Sequence, residues 1–574
     1  MLKRLALYFH GYKKELILGM SCAAAETVFE LIIPMIMADI IDVGVANRDR
    51  GYILGKSFAM VACALVSLAL GALYAKYSAR AGQGFGAELR KAEYRKIQGF
   101  SFSSMDRFNT PSLITRLTSD ITIIQNAVCN GMRPIVRGPV MMVMALAMSI
   151  MLSPQLAVVF LIAMPTLAVC LFLILRKLGP LYGGMQRALD RVNSIAQENL
   201  TAIRTVKAYV KGGSEAAKFG EANESFRASS EQAFHYAVLN MPCFQFVMYA
   251  TILCLLWFGG NFIRQGTMQV GELTGFLSYV LQILNSLMMI SNVFLMLSRS
   301  MTSANRIFEV LDEPQTIADG SGSCTVKHGE IDFDHVSFQY SEEAEEPVLA
   351  DICLHIGAGE TVGIIGGTGS AKTSLVQLIP RLYDVSSGSL KIDGHDVREY
   401  SLPHLRDAVG MVLQKNTLFS GTIRDNLKWG NEDATDADLD WACRIACADE
   451  FLSRMPEGYD SDLGQGGVNV SGGQKQRLCI ARALLKRPRV LIFDDSTSAV
   501  DTATESAIRR RLVEELRDTT RIFITQRIGS IQDADRIVVL EDGRVSACGT
   551  HAELMKTSAI YRDIYEFQQK GAEE

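Results

Sequence analysis

The feature that most constrains the fold is a run of 38 consecutive residues without a formal charge, between Arg137 and Arg176. About 20 predominantly apolar residues are needed to cross the hydrocarbon core of a bilayer. The run is broken at Ser153-Pro154-Gln155, so it predicts two spanning helices joined by a tight turn. With four further apolar stretches, six spans are predicted: 16–41, 52–75, 130–152, 156–176, 238–263 and 270–298. Any one stretch could be a buried core helix, but six in series favour a membrane domain.

Charge divides the chain into two halves. Residues 1–310 carry a net charge of +11 and residues 311–574 a net charge of −16, which together give the overall −5. The first half is also much poorer in charged residues. Such an asymmetry indicates a membrane domain over 1–310, a linker over 311–329 and an aqueous domain over 330–574.

The placement of Lys and Arg predicts the orientation of the spans. The segment 76–137 holds ten of these residues and 176–235 holds nine, whereas the opposite connections hold only Arg48, Arg50, Lys56 and Arg264. Because loops rich in Lys and Arg stay in the cytoplasm, the amino terminus and the two long connections are expected there. The basic charge is thereby explained without a nucleic-acid partner. Both connections are expected to be helical extensions, with turning points near 101–109 and 210–219.

Two acidic residues fall within the first predicted span. Glu26 and Glu30 are one helical turn apart and so share a face. A charge at membrane depth is costly and often functional. Two alternatives follow: the pair lines a pathway for a cationic or polar cargo, or it makes a satisfied polar contact between helices.

The twelve cysteines are scattered, many of them inside apolar runs, and no CxxC pair occurs. Cys443 and Cys447 have the tightest spacing but lack the further Cys or His of a zinc site. The pattern predicts small buried hydrophobic side chains in a reducing compartment rather than metal ligands.

In the second half, short β-rich runs alternate with helical stretches, which predicts an α/β domain. After a predicted strand at 361–365 comes a glycine-rich loop, and a helical stretch follows it. The loop consists of Gly366, Gly367, Thr368, Gly369, Ser370, Ala371, Lys372 and Thr373. Strand, loop and helix in this order are typical of a phosphate-binding loop. Lys372 is expected to reach the β- and γ-phosphate oxygens and the Thr373 hydroxyl to ligate Mg²⁺.

Two later motifs belong with this loop. The apolar run Val490–Phe493 leads into Asp494 and Asp495, and Asp494 is expected on the Mg²⁺ side of the site. A second glycine-rich turn, which opens a helix, lies between the phosphate-binding loop and this acidic run. It is formed by Ser471, Gly472, Gly473 and Gln474. Its backbone N–H groups could hold a phosphate, and a second copy of the domain would supply one.

Taken together, these motifs resemble the ATPase domain of ABC transporters, and with six spans in front the chain resembles a half-transporter of the exporter class. The resemblance covers essentially the whole chain. It implies an all-α six-helix membrane domain followed by an α/β P-loop nucleotide-binding domain, and two chains paired head to tail. ATP and Mg²⁺ are then the cofactors, with each ATP between one chain's phosphate loop and the other's signature turn, Ser471–Gln474. It also implies that Tyr340 stacks on adenine, Gln414 contacts Mg²⁺, Asp501 couples the two sites, and 101–109 and 210–219 form coupling helices.

Three positions depart from the family pattern. Alanine stands at 371 where glycine is usual, Asp495 replaces the usual catalytic Glu, and Gln526 replaces the usual switch His. A shorter base and a neutral amide predict that the chain's own site is weakly hydrolytic. The combination resembles the degenerate-site subunit of a heterodimeric multidrug-type exporter, whose partner supplies a complete site.

The expected function is therefore that of an exporter subunit in a bacterial-type plasma membrane. The expected cargo is an amphipathic small molecule, a lipid or a peptide. Two alternatives stay open: a slow homodimeric exporter, and an ATP-binding regulatory or channel-like membrane protein. An importer is disfavoured because membrane and ATPase parts are fused in one chain.

Overall fold

The computed structural model describes residues 2–320, 322, 324–341, 344–496 and 500–573. The chain forms two compact units. Unit 1 contains Met1–Gln98 and Thr110–Glu313, and unit 2 contains Gly99–Asn109 and Pro314–Glu574.

The first half of the chain is entirely helical in its described part. Its helices are α1 (Leu2–Leu5), α2 (Lys13–Asp39), α3 (Arg50–Gln98), α4 (Phe102–Arg107), α5 (Thr110–Thr115), α6 (Ile121–Leu152), α7 (Pro154–Thr201), α8 (Ile203–Ala208), α9 (Gly212–Val238), α10 (Asn240–Arg264) and α11 (Val270–Leu311). Short 3-10 or π-helical segments connect several of them, at Ala6–Tyr12, Ile40–Val45 and Arg116–Asp120.

Within the described residues, five helical segments are long and apolar enough to cross a membrane. They are Arg50–Gln98, Thr110–Leu152, Pro154–Thr201, Gly212–Arg264 and Val270–Ile290. Five of the predicted spans fall on these segments. The first predicted span, 16–41, corresponds to α2, which is not one of the five, and the six-span topology stays a prediction.

The tight turn predicted at Ser153-Pro154-Gln155 is only one residue long. Helix α6 ends at Leu152, and α7 begins at Pro154. The Ser153 hydroxyl accepts a hydrogen bond from the Leu156 backbone N–H at 3.4 Å. Serine as the cap and proline in the first turn are both favourable at a helix start, which explains the sharp break.

Helices α3 and α7 continue to Gln98 and Thr201, well past the predicted span ends at residues 75 and 176. The second turning point differs from the prediction at 210–219. Most of that range belongs to α9, and the turn itself is Tyr209–Lys211, with Val210 in the left-handed region at φ 55°. Gly212 and Gly213 lie in the first turn of α9.

The core of unit 1 is formed by apolar side chains from several helices. Phe160 and Phe276 stack with ring centroids 5.4 Å apart, and both are buried. The buried Tyr279 hydroxyl donates a hydrogen bond to the Leu31 carbonyl at 2.8 Å. These contacts join α2, α7 and α11 in one core.

Unit 2 contains two sheets. The strands are β1 (Ile331–Phe338), β2 (Leu349–Ile356), β3 (Thr361–Gly366), β4 (Ser387–Ile392), β5 (His395–Asp396), β6 (Val409–Val412), β7 (Val490–Asp494), β8 (Thr520–Ile524), β9 (Arg536–Glu541) and β10 (Arg544–Gly549). An antiparallel sheet has the order β2-β1-β4-β5, and a six-stranded sheet has the order β10-β9-β3-β8-β7-β6. In the larger sheet β10 is antiparallel to β9, and the other pairs are parallel.

Helices connect and cover these strands. They are α12 (Lys372–Leu378), α13 (Leu402–Ala408), α14 (Ile423–Lys428), α15 (Asp436–Ile445), α16 (Asp449–Leu452), α17 (Gly472–Leu485), α18 (Thr502–Glu515), α19 (His551–Thr557) and α20 (Ala559–Glu573). One core cluster joins the two sheets and α12, with Phe333, Ile364, Leu375 and Ile492 buried in it. The predicted fold class, a helical membrane domain followed by an α/β P-loop domain, is confirmed.

The first predicted turning point, 101–109, belongs to unit 2. Its helix α4 is capped by Ser101, whose hydroxyl accepts from the Ser104 backbone N–H. The Tyr383 hydroxyl donates to Asp106 Oδ2 at 2.6 Å, and Phe102 meets the Tyr383 ring edge-on at 5.9 Å. A short helix on the connection between α3 and α5 is therefore held by side-chain contacts within the α/β unit.

Candidate functional site

The phosphate-binding loop lies at the carboxyl end of β3, in the middle of the larger sheet. Lys372 opens α12, and its ammonium group donates to the carbonyls of Gly366 at 2.9 Å and Gly367 at 2.8 Å. It also donates to Ser370 Oγ at 3.2 Å. Burial lowers the pKa of Lys372, although nearby carboxylates oppose this shift. The loop thus holds a half-buried cation at a helix amino terminus, where phosphate oxygens bind well.

The alanine that departs from the family pattern lies where the backbone is left-handed. Ala371 has φ 65° and ψ 24° and immediately precedes α12. For a residue with a Cβ, this conformation costs about 1–2 kcal/mol more than a right-handed one. The loop therefore has the expected shape, but alanine adopts it at a cost that glycine would not have.

Two of the three predicted Mg²⁺ ligands, Thr373 and Asp494, lie together. The Thr373 hydroxyl donates to Asp494 Oδ1 at 2.9 Å. Asp494 ends β7, is buried, and lies opposite Ile524 of β8. Burial raises the pKa of Asp494, as does the nearby Asp495, while Thr373 and Lys372 oppose the rise. A hydroxyl and a carboxylate at this distance are the hard oxygen ligands that Mg²⁺ prefers, so these residues fit the ion.

Asp495 and Gln526 follow neighbouring strands. Asp495 comes directly after β7 with φ 45°, and its backbone N–H donates to the Ile524 carbonyl at 3.0 Å. Burial raises the pKa of Asp495, against the opposing charges of Lys372 and Arg527. Gln526 is exposed beyond the end of β8. Two of the three departures from the family pattern therefore occur at the carboxyl edge of the same pair of strands.

Gln414 lies beyond the end of β6, the edge strand next to β7. Its side chain is exposed. Because β6 and β7 are parallel, Gln414 and Asp494 lie at the same edge of the sheet. The structure thus places Gln414 on the side of the sheet where the phosphate loop begins.

Tyr340, the predicted adenine-stacking residue, follows β1 and is 46% exposed. Its hydroxyl is 2.8 Å from Ser374 Oγ in α12, and its ring packs edge-on against Tyr383 at 5.2 Å. An accessible aromatic ring is thereby held beside the helix that begins at the phosphate loop. A purine base can stack on such a ring.

The signature turn, Ser471–Gln474, forms the start of α17. The Ser471 hydroxyl accepts from the Gln474 N–H at 3.4 Å, and the Gln474 side-chain oxygen accepts from the Ser471 N–H at 2.9 Å. This reciprocal pair is a capping box. Gly472 and Gly473 lie in the first turn, where backbone N–H groups lack partners within the helix.

Asp501 caps α18, where its side chain accepts from the Thr504 N–H at 2.9 Å. The family resemblance also rests on Ser498 and Ala499, just before Asp501, and these two residues lie outside the described ones. The backbone hydrogen bonds that Asp501 accepts lower its pKa.

Two residues of this region were not found from the sequence. Ser374, next to the predicted loop, is the partner of Tyr340. Gln568 of α20 donates to the Gln526 carbonyl at 2.6 Å and accepts from the Ile528 N–H at 2.9 Å, so it fixes the segment after β8 from both sides. A single glutamine in a terminal helix gives no signal of such a role.

In unit 1, Glu26 and Glu30 both lie against arginines of α6. Glu26 contacts Arg133, and Glu30 contacts Arg137. Arg137 is also 3.9 Å from Glu26. The Glu26 side chain is only 5% exposed, whereas that of Arg133 is 42% exposed. The two arginines are four residues apart, as are the two glutamates, and this matching spacing could have suggested the pairing from the sequence.

Comparisons with known proteins agree with this geometry. Residues 16–287 match the family described as ABC transporter transmembrane region, and residues 349–498 match the family described as ABC transporter. The uncharacterized ABC transporter ATP-binding protein YfiB of Bacillus subtilis is 38% identical over 553 residues, which is 96% of each chain. The ATP-dependent lipid A-core flippase of Chromobacterium violaceum is 30% identical over 99% of this chain and 97% of its own length.

A solved structure, that of a bacterial Atm1-family ABC exporter with ATP bound, has the same fold. It matches with a TM-score of 0.84 at 23% identity, over 97% of this chain and 99% of that chain. Three findings point to the same family: the helical unit, the phosphate loop with its Thr373–Asp494 contact, and relatives of nearly equal length. The chain therefore belongs to the ABC transporter family, as a half-transporter of the exporter type.

Proposed function

We propose that the chain is one subunit of a heterodimeric, ATP-driven exporter in a bacterial plasma membrane, with its amino terminus and α/β unit in the cytoplasm. Two different chains pair head to tail, and each ATP lies between one chain's phosphate loop and the other's signature turn. The cargo is an amphipathic small molecule, a lipid or a peptide. The similarity to a chain named as a lipid flippase supports this range of cargo.

The observation that carries the proposal is that Asp495 and Gln526 both lie at the carboxyl edge of the neighbouring strands β7 and β8. An attacking water must be oriented and deprotonated next to the γ-phosphate. Asp495 is one methylene shorter than the usual Glu, and the Gln526 amide cannot exchange a proton. A misplaced general base costs about 10²- to 10⁴-fold in rate.

The rest of the site supports ATP binding. Lys372, Thr373 and Asp494 are in place, and Tyr340 offers a ring for the base. Thr373 and Asp494 would hold Mg²⁺, with Gln414 at the same edge of the sheet, and the ion would supply positive charge to neutralise the phosphates. The chain's own site is thus suited to hold ATP and poorly suited to hydrolyse it.

The signature turn supports a role in the partner's site. Its backbone N–H groups open α17, and its capping box fixes their direction. In the proposed cycle, ATP draws the two α/β units together and the membrane helices open outward. Hydrolysis in the partner's complete site then resets them.

For Glu26 and Glu30 both roles are proposed: a polar contact between helices, or a place along a cargo pathway. Their contacts with Arg133 and Arg137 favour a polar contact that fixes α2 against α6. The partial exposure of Arg133 leaves a role along a cargo pathway open to test. Glu26→Gln and Glu30→Gln variants distinguish the two: a cargo role changes stimulation of ATPase activity by cargo, whereas a structural role lowers the melting temperature alone.

The experiment that tests the degenerate site restores it. The purified chain alone is expected to hydrolyse ATP slowly. The double variant Asp495→Glu with Gln526→His is expected to raise the turnover rate by about 10²-fold, because each substitution returns a group that handles the attacking water. Asp494→Ala added to the double variant is the control, and it should abolish the gain.

Fast hydrolysis by the unmodified chain, lost in Asp495→Asn, would contradict the degenerate site. The oligomeric alternative is tested by co-purification, since a slow homodimer should transport cargo into vesicles without a second type of chain. The channel-like alternative predicts ATP-dependent conductance without uphill transport. Uphill, ATP-dependent transport by the co-purified pair excludes it.

A further inference from the structure

The outer face of the strands β1 and β2 carries a set of side chains of the types that bind metal ions, and none of them has a predicted role. One face of this antiparallel pair is buried through residues such as Phe333, Ile352 and Leu354. On β2 the alternate residues Asp351, Cys353 and His355 are exposed. Because successive side chains of a strand point to opposite faces, these three share the solvent side.

His335 of β1 completes a cluster with two of them. Its Nδ1 is 2.6 Å from Asp351 Oδ1 and 3.5 Å from Cys353 Sγ. The ligand atoms of the three residues all lie within 4.8 Å of one another. An imidazole, a carboxylate and a thiol therefore converge at one point on the surface.

The backbone of both strands contributes to this convergence. The pairing of β1 with β2 shifts register between Phe333 and Val336, which is the sign of a bulge. Within it His335 has φ 50°, and Asp351 on β2 has φ 53°. In regular strands His335 would share the inward face with Phe333. The bulge instead leaves it exposed, beside Cys353.

The spacing suits tetrahedral coordination. Zn–S and Zn–N bonds of about 2.3 and about 2.0 Å meeting at the tetrahedral angle put sulfur and nitrogen about 3.5 Å apart. The observed distance between Cys353 Sγ and His335 Nδ1 is 3.5 Å. The contact from His335 to Asp351 would lengthen from 2.6 Å to about 3.3 Å on binding. Both side chains are about two-thirds exposed or more, so they are able to make this movement.

We propose that His335, Asp351 and Cys353 form a surface site for a divalent transition-metal ion of the zinc class. A thiolate and an imidazole favour Zn²⁺ and its neighbours over Mg²⁺ and Ca²⁺, which prefer oxygen ligands. Three protein ligands leave the fourth position to water. This site is separate from the Mg²⁺ site at Thr373 and does not depend on the proposed role in export.

Two other clusters serve as internal comparisons. Glu330, Asp332 and His355 lie within the same spacing but include no thiol. Cys324, His395 and Glu399 include one, and Cys324 is partly buried against the core. Cobalt excludes the cluster without a thiol, since only a cysteine ligand gives thiolate-to-cobalt charge-transfer absorption, and cysteine variants distinguish the other two.

The test is a Co²⁺ titration of the full-length chain, purified in detergent, treated with a chelator and kept reduced. The charge-transfer band should saturate at one equivalent and disappear when Zn²⁺ is added. Cys353→Ala should abolish the band, and His335→Ala should weaken Co²⁺ binding at least tenfold. Cys324→Ala and the exposed-cysteine control Cys548→Ala should keep it, as should Lys372→Ala in the phosphate loop.

Loss of the band in Cys324→Ala with retention in Cys353→Ala would overturn the proposal, and so would the absence of any band in the unmodified chain. Because Cys353 is exposed, its replacement is expected to leave the fold intact. Unchanged binding of a fluorescent ATP analogue by Cys353→Ala checks this. A second readout is the melting temperature, which Zn²⁺ should raise in the unmodified chain but not in Cys353→Ala.

Discussion

The phosphate loop and the signature turn belong to the same unit but would act in two different ATP sites. They differ in how well their backbone conformations suit the residues that adopt them. On the loop side, Ala371 and Asp495 both adopt left-handed conformations that disfavour residues with a Cβ. On the signature side, Ser471 is extended and closes a complete capping box. The departures from the family pattern all lie on the loop side. The turn proposed to act in the partner's ATP site therefore keeps the family pattern and an unstrained backbone. The loop of the chain's own site has neither.

The largest expected effect comes from the signature side. In the proposed complex with a second, different chain, Ser471→Ala is expected to lower total ATPase activity by about 10²-fold. The Ser471 hydroxyl can donate its proton to a phosphate oxygen, and losing one donor to a developing charge has about this cost. Asp495→Asn in the same complex should change activity less than twofold. Turnover of ATP by the co-purified pair measures both.

Ser471→Ala also removes a helix cap, which costs about 1 kcal/mol of stability. Thr435→Ala is the matched control, because Thr435 forms the same kind of capping box with Asp438 at the start of α15. It should lower the melting temperature similarly and leave activity unchanged. Equal losses of activity from Ser471→Ala and Asp495→Asn would remove the difference between the two parts.

A smaller effect is expected from the strained alanine. Ala371→Gly should raise the free energy of unfolding by about 1 kcal/mol, because glycine adopts φ 65° without steric cost. Ala437→Gly, at an exposed position within α15, should instead lower it by about 0.5–1 kcal/mol. Chemical denaturation monitored by fluorescence compares them, and a loss of stability in Ala371→Gly would contradict the strain at this position.

The segment after β8 gives a prediction of similar size. Gln568→Ala removes two hydrogen bonds to this segment, at the Gln526 carbonyl and the Ile528 N–H. A loss of about 1 kcal/mol or somewhat more is expected, as is faster amide exchange at Ile528. Gln569→Ala is the neighbouring control and should change neither quantity. If exchange at Ile528 stays the same, Gln568 does not hold the segment.

The smallest effect concerns Asp494, the predicted Mg²⁺ ligand, and depends on pH. Burial raises the pKa of Asp494 above its unfolded value, so its contribution favours folding at low pH and is lost as the pH rises through the folded pKa. Asp494→Asn should therefore melt at a higher temperature than the unmodified chain at neutral pH, without nucleotide. The difference should shrink as the pH falls and Asp494 becomes protonated. A difference that grows on acidification would contradict this sign.

Much of the site could be predicted because its chemistry requires particular residues in a particular order. The strand, loop and helix around Lys372 are fixed by glycines and by the buried run before them, and the structure has β3 at Thr361–Gly366, close to the prediction at 361–365. Asp494 was found because a short apolar run ending in acid predicts a buried strand that stops at the sheet edge. The same local reasoning found the break at Ser153.

What could not be predicted depends on contacts between distant parts of the chain. The bonds from Gln568 to the segment after β8 join residues about 40 positions apart, and no local pattern encodes them. The cluster at His335 needs a register shift between two strands, which alternation alone does not show. The cysteine prediction was wrong for three residues: the twelve were expected to be buried, and Cys254, Cys353 and Cys548 are exposed.

The order of strands in the larger sheet has a mechanical consequence. β3, which carries the phosphate loop, is hydrogen-bonded on both sides by β8 and β9, whereas β6, which leads to Gln414, pairs with β7 alone among the described strands. The phosphate loop thus follows an internal strand of the sheet, whereas the Gln414 segment follows an edge strand. A displacement that reaches this unit would bend the edge strand β6 before it disturbs the phosphate loop after β3. Such a domain can transmit movement while its nucleotide stays bound.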